Sequence, residues 1–96
     1  MRAEYDSEAN VVAISLVDGA QADTGDRVHA RAVVALSASA PVDVELLYPE
    51  EGIDEPLESV AQKYSLDLEA LKAAAHSALD APDRQVVLEV RTRTTP

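Results

Sequence analysis

The stretch "VDVELLYPEEGIDEPLESVAQKY", residues 42–64, changes its period halfway along. Up to Tyr48 it alternates. Val42, Val44, Leu46 and Tyr48 fall on one side of an extended chain, with Asp43 and Glu45 on the other. That is the pattern of a strand with one wet face. "PEEGIDEP" then reads as a loop. Beyond it, Leu57, Val60, Ala61 and Tyr64 recur at helical spacing. Pro56 suits the first turn of a helix. Asp54, Glu55 and Glu58 favour the positive end of its dipole.

Downstream, "SLD" breaks this helix and offers Ser65 or Asp67 as the N-cap of a second. Leu68, Leu71, Ala75 and Leu79 form one stripe of that second helix, and Pro82 cannot continue it. "QVVLEVRTRT" alternates again, with Val86, Leu88 and Val90 inward and Glu89, Arg91 and Arg93 outward. Upstream, "RVHARAVVAL" reads as one strand. Val28, Ala30, Ala32, Val34 and Leu36 face one way, and Arg27, His29 and Arg31 the other. "DGAQADTGD" before it is a loop. In "NVVAISLV", Val12, Ile14 and Leu16 share one face and Val11, Ala13, Ser15 and Val17 the other. Both faces are mostly apolar, so this strand is expected to be central or covered on both sides.

Strands, then two helices, then a strand define an α+β fold. The expected architecture is a mostly antiparallel sheet of four to five strands with a helical pair packed on one face. A single domain covers 1–96: a β meander over 1–50, a helical segment over 51–83, and a final strand and tail over 84–96. Strands are expected near 11–17, 28–36, 42–48 and 86–93, with a short one at 2–5, and helices near 56–64 and 67–79. The expected core includes Ile14, Leu16, Val34, Leu46, Val60, Leu71 and Leu88.

The composition narrows the function. The chain has no cysteine, which excludes disulfides and thiolate metal sites. "MRAEYDSEAN" lacks the apolar region of a signal peptide, and no apolar run reaches the roughly 18 residues of a membrane span. A cytoplasmic protein without membrane contact is the expectation. The net charge is −10, from 18 acids against 8 bases. That repels phosphate backbones and anionic lipid, and attracts a basic partner.

No spacing carries catalysis. His29 and His76 have no partner at metal-ligand spacing, and no HExxH occurs. The acidic loops do not follow the calcium-loop pattern, and no serine sits in a G-x-S-x-G elbow. A non-enzymatic protein with no cofactor is expected. The helix pair at 56–79 has the rhythm of a helix-turn-helix, which makes a DNA-binding or regulatory module the alternative. Against it, the second helix offers only Lys72 and His76 beside Asp67 and Glu69. Its likeness to the helical part of the carbohydrate-binding LysM module lacks the opening strand and the sugar-stacking aromatics. A self-associating structural protein is a third class. Edge strands and the spare apolar face of "NVVAISLV" predict a homodimer.

The opening "YDSEAN" reads as a corner. Asp6 can close an Asx-turn, Asn10 tolerates the left-handed region, and Tyr5 packs over the turn. Tyr5, Asp6, Glu8, Ala9 and Asn10, followed by "VVAISLVDG", resemble the opening of DUF2283, a bacterial and archaeal family of small domains of unknown function. "ARAVVAL" and "VDVELLY" sit where that family's next strands would sit. The resemblance covers about residues 1–50. The chain departs from the family in its helical segment, its final strand and the lack of a glycine-rich "DGV". The resemblance implies a small β-rich module without catalytic residues, with an antitoxin-like role. From Asp43 to Glu69, nine acids stand against Lys63 alone. The loop residues Glu50, Glu51, Asp54 and Glu55 are therefore the candidate partner-binding site, for a basic protein.

Overall fold

A computed structural model describes residues 1–88. Six strands form one antiparallel sheet: β1 (Arg2–Asp6), β2 (Val11–Ser15), β3 (Thr24–His29), β4 (Ala32–Ser37), β5 (Ala40–Leu47) and β6 (Gln85–Val87). Two helices, α1 (Asp54–Tyr64) and α2 (Leu68–Leu79), pack on one face, which makes the fold α+β. The spatial order is β3-β4-β5-β2-β1-β6. The first half is therefore not a meander. β2 pairs with β5, and the chain crosses the end of the sheet to start β3 at the far edge. That is a Greek-key connection. Leu16 and Val17 donate to the Val42 carbonyl, and Asp23 donates to that of Leu36, which fixes the crossing.

The sixth strand comes from a hairpin inside the stretch expected as one strand at 28–36. β3 begins at Thr24, within the expected loop, and the chain reverses between His29 and Ala32. A bulge between Arg27 and His29 breaks the alternation. Arg27 pairs with half-buried Val33 and His29 with fully buried Ala32, so the two side chains point to opposite faces. A second departure is Tyr48, expected inside. The strand ends at Leu47, Tyr48 turns left-handed at φ 49°, and its side chain is 51% exposed.

Helix α1 starts at Asp54, two residues before the expected start, and Pro56 still lies within its first turn, where a missing N–H costs nothing. It ends where Ser65 adopts φ 55° and Leu66 donates back to Ala61. Asp67 caps α2, its carboxylate accepting from the Ala70 N–H. Helix α1 covers β3, β4 and β5, and α2 covers β1, β2 and β6. Leu71, Ala74, Ala75 and Ala78 of α2 are fully buried, and such small side chains let the helix lie close to the sheet. Ile14, Val34, Leu46, Val60 and Leu71 form the core as expected, while Leu16 and Leu88 pack against its rim. The final strand returns to the sheet as expected, and its partner is the edge of β1. Val90, expected inward, and Glu89, Arg91 and Arg93, expected outward, lie outside the described residues.

Among the described residues nothing packs over the opposite face of the sheet. On β2, Val12 and Ile14 are fully buried under the helices, whereas Ala13 is exposed and Val11 only half-buried. The strand expected to be central or covered on both sides is central, between β5 and β1, and is covered on one face only.

Candidate functional site

The "YDSEAN" corner is built as a turn. The Asp6 Oδ1 accepts from the Glu8 and Ala9 N–H groups, both at 3.1 Å, closing the Asx-turn. Asn10 takes φ 57°. Its side chain accepts from the Tyr5 hydroxyl at 2.8 Å and donates to both Glu50 oxygens, at 2.8 and 3.0 Å. Ser7 donates through its N–H and hydroxyl to Asp83, at 3.0 and 2.7 Å. These two bonds, the hydroxyl's first, hold the Asp83 carboxyl below the usual carboxylate range. The corner thus joins the acidic loop on one side and the α2–β6 connection on the other.

Loop residues Glu50 and Glu51 stand on a single 3-10 turn, Pro49–Glu51, and both are exposed. Arg31 holds that turn in place. Its guanidinium donates to the carbonyls of Tyr48 (3.1 Å), Gly52 (2.8 Å) and Glu51 (3.4 Å). Asp54 and Glu55 follow in the first turn of α1. Three of the four acids have partners: Glu50 on Asn10, Asp54 on Lys72 at 3.5 Å, and Glu55 on His29 at 3.4 Å. All four are exposed; the Lys72 ammonium offsets part of the Asp54 charge, whereas Glu50 is held only by the neutral Asn10 amide and Glu51 has no side-chain partner among the described residues. The bulge explains the His29 contact, which alternation alone would have placed on the other face.

The open sheet face holds a second feature. A cavity of about 360 Å³ is lined by Glu4, Asp6, Ala9, Val11, Ala13 and Glu45. Its origin is the strand register. Glu4 pairs with Ala13, and Ala13 with Glu45, so two glutamates flank one small side chain across three strands. Two pairs further along, and so on the same face, Asp6 lies beside Val11. The floor is apolar and the rim carries three carboxylates. The lining residues come from three strands and a turn, so no local motif announces them. The sequence does contain a signal: Ala13, a poor strand former, sits in the middle of a strand rich in Val and Ile.

Among the described residues, no group of three or more His, Asp or Glu side chains could hold a metal, and no helix is long and apolar enough to cross a membrane. No family model matches the chain, and neither does a curated protein or a solved structure.

Proposed function

We propose that this protein is a non-enzymatic binding module that recognises a basic protein through its acidic end. The DUF2283-like opening residues imply an antitoxin-like form of that role, in which the partner is a small basic toxin. The observation that carries the reading is the acidic turn at 49–55. Glu50 and Glu51 stand exposed on a 3-10 turn clamped by Arg31, with Asp54 and Glu55 in the next turn. A clamped turn loses little freedom on association, so its charge is available at low entropic cost. DNA ranks lower. The two lysines of the helix pair, Lys63 and Lys72, are ion-paired with Asp26 and Asp54, and the apolar faces of both helices are buried on the sheet.

The test is affinity capture from the native cell, followed by association rates at low and high salt for wild type and for Glu50→Gln with Glu51→Gln. The captured partner is expected to be basic, its on-rate to fall as salt screens the field, and the double variant to associate more slowly. A partner indifferent to both salt and the double change refutes the reading. Tight, salt-sensitive binding to duplex DNA would replace it with the helix-pair alternative.

A further inference from the structure

We infer that the uncovered face of the sheet is the surface on which the basic partner docks, with one of its lysine or arginine side chains seated between Glu4 and Glu45. This inference rests on the basic-partner reading, in which the acidic turn at 49–55 steers the partner in, and names the adjoining surface on which the steered partner then docks and the chemistry of that contact.

The register sets the geometry. Glu4 and Glu45 lie on strands either side of β2, so their backbones are about 10 Å apart at a strand spacing near 4.8 Å. Between them Ala13 leaves a dip where a larger side chain would leave none. Ala9 and Val11 extend the apolar floor toward Asp6. A lysine or arginine matches this arrangement from both ends: an alkyl stem for the floor and a cation for the rim. An arginine fork could engage two carboxylates at once.

The charges on this face are unbalanced where the cavity lies. Its lining has three carboxylates and no base. Among the described residues the two arginines of this face are engaged elsewhere, Arg2 on Asp18 at 3.1 Å and Arg27 on the Ala30 carbonyl at 2.8 Å. Among the described residues neither Glu4 nor Glu45 takes part in an ion pair. Solvation accounts for carboxylates on an open face, but not for a small residue between them. At that position Val or Thr would suit the strand better. A second copy of the chain is the poorer occupant, because it would bring its own carboxylates to the same rim at a net charge of −10 each.

The experiment is an NMR titration of the full, isotope-labelled chain with the capped peptide Val-Lys-Val-Lys-Val and with its glutamine counterpart. Three variants accompany wild type: Ala13→Val, Glu4→Gln with Glu45→Gln, and Glu50→Gln with Glu51→Gln. Saturable shifts are expected at the amides of Ala9, Val11, Ala13 and Glu45, with the lysine peptide only. Affinity should fall about tenfold or more in the Ala13 and Glu4/Glu45 variants, while the loop pair keeps these shifts. Ala13→Val suits a strand, so a folded spectrum with lost binding separates blockage from unfolding. Shifts confined to residues 49–55 and abolished by the loop pair would overturn the inference and leave the basic-partner reading standing. Shifts at the cavity that survive both groove variants also overturn it. Movement of the same amides with protein concentration alone would name a second copy as the occupant and overturn it. No saturable binding anywhere would remove both.

Discussion

Asp6 uses one carboxylate oxygen to close the corner at 6–10 and also lines the cavity on the open face. Loss of its turn bonds in Asp6→Ala should cost about 0.5–2 kcal/mol, by analogy with a lost helix cap, measured by urea unfolding. An unchanged midpoint would show that the turn holds without its Asx bonds. The β4–β5 hairpin gives a second residue-scale case. Its central residues, Ala38 and Ser39, have φ of 49° and 69°, the left-handed pair a two-residue hairpin requires. Neither residue suits that region, which costs an L-residue roughly 1–2 kcal/mol. Ala38→Asn with Ser39→Gly should therefore raise stability by about 1 kcal/mol or more. A lower melting temperature would mean that the Ala38 N–H to Asp23 bond depends on the present side chains. Residues of this kind were legible at the first corner, where Asp and Asn announce themselves. They were illegible at the hairpin, where "SASA" hides a left-handed pair behind ordinary side chains.

At the scale of elements, α1 is tied to β3 by three side chains. The Tyr64 hydroxyl and the Lys63 ammonium both donate to Asp26 Oδ2, the latter at 2.6 Å. The bond from Lys63, then that from Tyr64, holds the Asp26 carboxyl below its usual range. The same contacts with Asp26 raise Lys63 and Tyr64 above theirs. For Asp26, lowered in the folded state, the contribution is present above the unfolded pKa and lost as pH falls through the folded one. For Lys63 and Tyr64, raised in the folded state, it is present below their unfolded values and lost as pH climbs through the folded ones. The tie is therefore strongest across the neutral range and weakens at both extremes. Asp26→Asn should flatten the unfolding-midpoint profile at both ends, and a profile identical to wild type would show that the tie contributes nothing. The sequence revealed the helices and their partner face through periodicity, because a two-layer packing demands it. It did not reveal the Asp26 tie, since Asp26 stood in a Gly- and Asp-rich run that reads as a loop. Nor did it reveal the β3–β4 hairpin, because a bulge hides inside an unbroken alternation.

Over the whole molecule the core and the charge are separate problems. The core follows from pattern alone. Leu71 is fully buried among the alanines of α2 and the sheet, and Leu71→Ala should cost about 2–5 kcal/mol in chemical denaturation. A negligible loss would mean that the helix layer is only loosely attached. The cavity on the open face did not follow from pattern, because it is made by register between strands far apart in sequence, with Glu4 and Glu45 on either side of Ala13. The charge can be tested on the fold itself. Eighteen acids against eight bases repel one another more in the compact state than in the unfolded chain. Added salt screens this repulsion, with a Debye length near 30 Å at 0.01 M and about 8 Å at 0.15 M. It also weakens the ion pairs Arg2–Asp18, Lys72–Asp54 and Lys63–Asp26, which work in the opposite sense. Exposed pairs contribute little, so relief of repulsion should win. The melting temperature should rise between 0.01 and 0.15 M sodium chloride by about a few degrees, and Glu50→Gln with Glu51→Gln should shrink that rise. The two glutamates belong to the acid-rich stretch 43–69, at the end of the molecule proposed to attract a basic partner. A melting temperature that falls with salt would place the balance with the ion pairs, and the acidic end would then carry no stored repulsion for a partner to relieve.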